Sequence, residues 1–173
     1  MIVLKRVLVP TDFSEASTAA VTYGVALARA FNAQLFLLHV VPSQDLDIAV
    51  ERERVVEELL ADSSSPAPPR VEDVTRHVVR EQLGTILSPQ DENDVHAEYV
   101  LRSDGVGGPS LEIVRYAKDN DIDLIVMGAH GRSFVAHILT MGSVAEKVVR
   151  RAPCPVLTVR HPEHEFVLPD TGQ

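Results

Sequence analysis

Hydrophobic positions along the chain fall into short blocks, separated by longer stretches in which apolar residues recur every three or four places. Four blocks are nearly unbroken: VLVP (7–10), LFLLHVV (35–41), LIVMG (Leu124–Gly128) and VLTV (Val156–Val159). Apolar residues at consecutive positions imply cover on both faces, as in strands inside a parallel sheet. A fifth block, VHAEYVLR (95–102), alternates instead. Val95, Ala97, Tyr99 and Leu101 point one way, while His96, Glu98 and Arg102 share the other, as expected of an edge strand.

The stretches between carry helical periodicity. SEASTAAVTYGVALARAF (14–31) aligns Ala16, Ala20, Tyr23, Leu27 and Phe31 on one broad stripe, and Asp12-x-x-Glu15 before it reads as a capping box. PSLEIVRYAKDN (109–120) is apolar at Leu111, Val114 and Ala117, with GVGG (105–108) as the turn ahead of it. SVAEKVVRRA (143–152) opens on a second capping box, Ser143-x-x-Glu146. Strands alternating with helices predict an α/β fold with right-handed crossovers and a doubly wound sheet.

One crossover is unusually long. More than 50 residues separate Val41 from Val95, where about a dozen suffice. The insert, at about 43–94, holds two amphipathic patterns. The first, 47–61, carries Ile48, Val55, Val56, Leu59 and Leu60; the second, 71–87, carries Val71, Val74, Val78 and Ile86. SSSPAPP (63–69) links them, and the acidic SPQDEND (88–94) reads as a closing surface loop. The expected organisation is therefore one domain over 1–160, with this helical insert and a polar tail at 161–173.

At 173 residues the chain is long enough to bury a proper core, and 45% hydrophobic with 24% charged residues is ordinary for a soluble domain. A formal charge of −9 leaves no basic stripe for nucleic acid or an anionic membrane. One cysteine, Cys154, suits a reducing compartment. The N-terminus MIVLKRVLVPTD turns polar too soon for a signal peptide, and no run approaches the roughly 20 apolar residues of a membrane span. A cytoplasmic protein is expected.

The candidate chemistry lies in MGAHGRSFVAHILTMGSVAEKVVRRAPCPVLTV (127–159). Gly128 ends an apolar strand, Gly131 follows, and Gly142-Ser143 opens the next helix. In open parallel sheets, ligands bind outside the carboxyl ends of the strands, where chain order reverses. A helix N-terminus presents unpaired N–H groups and partial positive charge, and glycines let the backbone approach phosphate closely. Arg132 and His130, in the same loop, can add donors. Turn chemistry and a Ser143 N-cap explain the same residues without a ligand, and spacing alone leaves both readings open. The loop is neither G-x-x-x-x-G-K-[ST] nor G-x-G-x-x-G.

Together with VLVPTDFSEAS (7–17) and LFLLHVV, this segment resembles the universal stress protein family, over about 2–41 and 95–160. The resemblance implies a five-stranded parallel sheet of order 3-2-1-4-5 with helices on both faces, of the adenine-nucleotide α-hydrolase-like, Rossmann-like kind. It implies a bound adenine nucleotide: ATP with Mg2+, with AMP or ADP as further candidates. By resemblance the phosphates lie on Gly131, Gly142, Ser143 and Val144, with ribose and further phosphate contacts near Gly128 and His130. Adenine and ribose lie against Pro10, Thr11, Asp12, Val41 and Met127. The family commonly pairs its last strand, here Val156–Val159, across a two-fold axis, which implies a homodimer.

One departure concerns the loop. Ten residues, 132–141, separate Gly131 from Gly142, where the family pattern has nine. Either the loop bulges by one residue, or Met141 occupies the usual glycine position and crowds the phosphates. Retention of Gly142-Ser143 with its capping box favours the bulge.

Plainer roles stand beside these. Asp12 can be an N-cap, Val40 and Val41 core residues, and His39 a satisfied core histidine. His130 and His137 share no helical register for a metal, His161 and His164 sit in the polar tail, and Cys154 between Pro153 and Pro155 has no activating base. The expected function is a nucleotide-dependent stress or signalling module, hydrolysing slowly at best and not a dedicated catalyst. The rival is a family member without nucleotide, acting as a dimeric interaction module. An adenylating ligase or pyrophosphatase would carry S-G-G-x-D-S after the first strand, where this chain has PTDFSEAS. A phospho-acceptor would need an aspartate and a lysine where Gly128 and Arg160 stand, and a serine hydrolase would need G-x-S-x-G.

Overall fold

The computed structural model describes residues 2–41, 81–82, 84–104, 106–129 and 144–160. The expected helices at 47–61 and over most of 71–87, the loop at 130–143 and the tail at 161–173 lie outside the described residues. Of the second insert helix, residues 81–82 and 84–87 are described: Glu81, Gln82 and Gly84 are helical, whereas Thr85, Ile86 and Leu87 form a turn, so the helix ends earlier than expected.

Five strands appear where the apolar blocks predict them: β1 (Arg6–Pro10), β2 (Gln34–Val41), β3 (Glu98–Ser103), β4 (Leu124–Gly128) and β5 (Val156–Val159). They form one sheet of order β3-β2-β1-β4-β5, with every pairing parallel. The first strand is therefore central. The chain builds outward from it through β2 and β3, then returns to its other side for β4 and β5.

Four described helices complete the fold: α1 (Glu15–Phe31), α2 (Pro89–Asp94), α3 (Gly108–Asp119) and α4 (Val144–Arg151). Alternation along each strand divides the core into two layers. Val7, Val9, Leu35, Leu37, Val126 and Val159 pack with Ala20, Val21, Val25 and Ala28 of α1. Leu8, Phe36, Leu38, Ile125 and Met127 pack with Ile113 and Tyr116 of α3 and with Ala145 and Val148 of α4. Both faces of β1 are thus sealed, which is why its sequence does not alternate.

The face of α1 differs from the expected stripe. Tyr23 is 55% exposed and Phe31 40% exposed, whereas Ser17, Ala20, Val21, Gly24, Val25 and Ala28 are buried. The cause is the closeness of the helix to the sheet: a Cβ built on Gly24 would collide with Cγ2 of Val9. Small residues therefore line the contact, and the larger ones turn outward. The same one-position rotation occurs in α3, where Ile113 and Tyr116 are buried while Leu111 and Val114 are half-buried. Of the expected turn, Gly107, at φ 118°, is the N-cap of α3, whereas Gly108, at φ 70°, is already its first residue.

The segment SPQDEND is a helix, not the expected surface loop. Ser88 caps α2 by accepting the Asp91 N–H at 3.1 Å, its own hydroxyl donates to Asp91 Oδ2 at 2.6 Å, and Pro89 occupies the first turn. This reciprocal cap overrides the polar composition. Arg29 of α1 then bridges Asp91 and Asp94 at 2.5 and 2.9 Å, tying α2 to α1. The Ser88 hydrogen bond, followed by the Arg29 charge, lowers the Asp91 carboxyl below its usual pKa.

Tyr99 and Leu101 of β3, and Ala97 just before it, pack against the α1 layer as the alternation predicts, but Val95 precedes the strand as the buried cap residue of α2. The Tyr99 hydroxyl is buried with no hydrogen-bonding partner among the described residues. Loss of solvent, followed by the nearby Glu92 charge, raises its pKa to about 12.

Two outcomes follow from this packing. Gly24→Ala should lower stability by about 1–3 kcal/mol, because neither α1 nor Val9 can yield without disturbing the sheet; urea unfolding measures it. Tyr99→Phe removes an unsatisfied buried hydroxyl and should raise stability at neutral pH by up to about 1 kcal/mol. In the unfolded chain the phenol ionises near 10, but in the folded chain only near 12. The native state therefore retains a proton that the unfolded state releases, and stability falls as pH rises through that window. Unfolding curves across it should show a smaller fall for the phenylalanine variant.

Candidate functional site

The strand order places a topological switch point beside β1: the chain leaves its carboxyl end toward β2 and later returns on the opposite side as β4. Residues at the carboxyl ends of β1, β2 and β4 therefore face a common region, with the outer two strands about 10 Å apart. Pro10, Thr11, Asp12, Val41, Met127 and Gly128 all belong to it.

The turn after β1 is held by a chain of hydrogen bonds. The Thr11 N–H continues the ladder to the Leu38 carbonyl at 2.8 Å. Its hydroxyl oxygen accepts the Phe13 N–H at 3.1 Å and lies 3.1 Å from Ser17 Oγ. Because the Ser17 hydroxyl donates to the Ser14 carbonyl at 2.8 Å, the Thr11 hydroxyl is the donor to Ser17. Asp12 Oδ1 accepts both the Ser14 N–H at 3.1 Å and the Ser14 hydroxyl at 2.6 Å.

These contacts revise the expected cap. Ser14, with extended backbone at φ −75° and ψ 160°, is the N-cap of α1, and its Oγ accepts the Ser17 N–H at 3.3 Å. Glu15 is already the first helical residue, so Asp12-x-x-Glu15 cannot form a box. Asp12 instead braces the capping serine from two residues upstream. Between them, Phe13 adopts a left-handed φ of 62°, uncommon for a residue with a bulky side chain. The backbone strain falls where the chain turns out of the sheet.

Behind the turn, His39 of β2 is buried, as expected of a satisfied core histidine. Its Nδ1 lies 2.8 Å from the Thr11 carbonyl oxygen, and its ring lies 4.6 Å from that of Phe13. A carbonyl only accepts, so Nδ1 carries the proton in this contact. Sequence reasoning did not find the contact, although the pairing of Pro10 with Leu38 brings the next residue pair, Thr11 and His39, into register.

Strand alternation separates the remaining residues. Pro10 and Met127 follow the α3–α4 layer, Val41 and Gly128 the α1 layer. Val41 is buried, and its carbonyl accepts the Asp104 N–H at 3.0 Å. Met127 is buried beneath α4. Gly128 has a packing requirement of its own. A Cβ there would lie 2.9–3.1 Å from the backbone carbonyl and Cβ of Ala16, in the first turn of α1. Beyond it, the Ala129 N–H donates to the Val159 carbonyl at 2.8 Å. Val144 is exposed at the start of α4. His130, Gly131, Arg132, Gly142 and Ser143 lie outside the described residues. A shallow hollow of about 360 Å³, lined by Phe13, Thr18, Gln82, Thr85 and Ile86, adjoins the same turn on the Phe13 side.

Sequence and structure comparisons agree on kinship. The Universal stress protein family profile matches residues 4–160. A universal stress protein of Methanocaldococcus jannaschii is 32% identical, over 93% of this chain and 85% of its own. Another, from Bacillus subtilis, is 31% identical over 90% of this chain and 98% of its own. Among solved structures, a universal stress protein of Lactobacillus plantarum superposes with a TM-score of 0.63 at 28% identity, covering 92% of this chain and all of that one. A universal stress protein in complex with cAMP superposes at 0.55 with 25% identity, covering 92% and 99%. A profile match over nearly the whole chain, with relatives aligned along most of their length, places this chain in the universal stress protein family.

Proposed function

We propose that this protein binds an adenine nucleotide, ATP with Mg2+, at the carboxyl ends of β1, β2 and β4, and that the bound nucleotide sets a conformation read by a partner protein. The observation that carries the reading is the switch point itself: β1 lies between β2 and β4, and in the turn after it Asp12 Oδ1 accepts both the N–H and the hydroxyl of Ser14. The similar protein in complex with cAMP gives independent support for an adenine nucleotide. Adenine and ribose would lie along Pro10, Thr11, Asp12, Val41 and Met127. The phosphates would meet Gly131, Gly142, Ser143 and the N-terminus of α4 at Val144, with His130 and Arg132 as further donors. AMP and ADP would compete for the same site. On this reading the protein is a cytoplasmic binder and not a dedicated enzyme.

The domain on this reading spans 1–160, with an insert at about 43–94 and a tail at 161–173. We also propose a homodimer through β5. That strand pairs only with β4 among the described residues, and Leu157 on it is 38% exposed. An unpaired apolar edge of this kind is covered in stable proteins. A second reading, a dimeric interaction module without nucleotide, draws on one observation: the loop at 132–141 is one residue longer than the family pattern.

Calorimetry separates the two. We expect ATP binding in the presence of magnesium, abolished by Gly142→Val, which blocks backbone approach to the phosphates, and weakened by about 1 kcal/mol in Ser143→Ala. Asp12→Asn retains the Oδ1 acceptor that braces Ser14, so it should lower affinity while leaving unfolding unchanged. Deleting one residue within 132–141 should preserve or improve affinity if the loop bulges. No heat at millimolar ATP, with no nucleotide released on denaturing the purified protein, would favour the nucleotide-free module.

Light scattering addresses assembly. A dimer at micromolar concentration that becomes monomeric with Leu157→Glu supports pairing through β5, and a monomeric wild type contradicts it.

A further inference from the structure

We propose that His39 is a positioning residue for the nucleotide cleft, acting through the Thr11 carbonyl to fix the turn that presents Asp12. The proposal rests on the nucleotide reading above and extends it to a residue that need not touch the ligand.

Thr11 is 5% exposed, and its N–H, just beyond β1, continues the ladder to β2 through the Leu38 carbonyl. Once the chain turns toward α1, the Thr11 carbonyl takes a side-chain donor in place of a strand. A buried carbonyl needs such a partner. His39 supplies it at 2.8 Å from a rigid central strand, although the histidine is itself only 8% exposed within an otherwise apolar run. The same ring packs at 4.6 Å against Phe13, whose left-handed backbone makes the turn. His39 therefore touches the residue before Asp12 and the residue after it. Asp12 stands between two fixed points, and its carboxylate direction follows from them. An apolar replacement would fill the core equally well but would leave the Thr11 carbonyl without this donor.

The test compares His39→Leu, His39→Asn and His39→Gln. Asparagine places an amide N–H close to the position of Nδ1, whereas glutamine places it where Nε2 lies. Two readouts are taken: ATP affinity by calorimetry, and hydrogen exchange of the Phe13 and Ser14 amides without nucleotide. Those amides bond to Thr11 Oγ1 and Asp12 Oδ1, so they report the turn directly. In His39→Leu we expect exchange at both amides to quicken, and ATP affinity to fall, by about tenfold, the loss typical of one buried hydrogen bond. His39→Asn should recover most of both, and His39→Gln should recover neither. Core filling alone would rank the variants by stability, with no preference for asparagine over glutamine. Unchanged exchange in His39→Leu, or equal behaviour of asparagine and glutamine, would overturn the proposal. Should the leucine variant not fold, the asparagine–glutamine pair decides. A wild type that binds no ATP refutes the nucleotide reading, while the exchange data still judge His39.

Discussion

Helix α1 lies so close to the sheet that two positions tolerate no side chain. At Gly24 a Cβ would run into Val9, and at Gly128 it would run into the backbone of Ala16. The first contact sets how deeply the body of the helix is seated, and the second sets where its first turn stands relative to the end of β4. Between them they fix the position of the helix start, and hence of the turn that links it to β1. Everything at the carboxyl ends of the strands inherits its placement from this seating. Core packing and site geometry are here one constraint, since a helix one methyl group further out would carry Ala16 and the first turn away from the end of β4.

The polar contacts above this seating convert position into orientation. Thr11, Asp12, Ser14 and Ser17 are linked by hydrogen bonds, with His39 behind them. Bonds of this kind hold the turn without a ligand, and a preordered turn has less entropy to lose on binding. In Asp12 a single oxygen, Oδ1, accepts both contacts from Ser14.

Much of this was legible in the residues. Continuous apolar blocks identify β1, β2, β4 and β5 because burial on both faces leaves no polar positions, and the strand order followed from the family resemblance. What periodicity misjudged was size. It assigned Tyr23 and Phe31 to the buried face of α1, where the contact admits only alanine, serine, valine and glycine. Hydrophobicity scales do not encode interlayer distance, although Gly24 inside a helix was a signal of it. The polar segment SPQDEND read as a loop because composition outweighed its capping signature, Ser88-Pro89-x-Asp91. In TDFSEAS, four of seven residues are able to cap a helix, and only the left-handed turn at Phe13 selects Ser14. The His39 contact was beyond reach because it joins residues 28 positions apart through a side chain and a carbonyl.

At the opposite end of the sheet, the Asp123 carboxylate accepts the N–H groups of Lys5 and Arg6 at 2.7 and 2.9 Å, and Arg6 reaches the Asn120 carbonyl at 2.7 Å. This bolts β1 to β4 at their amino ends. Above it the two strands pair only at Val7–Leu124 and Leu8–Ile125, whereas β1 and β2 pair at five positions. The ladder between β1 and β4 is thus a zip fastened at its base, with Val9 and Pro10 of the central strand left without rungs to β4.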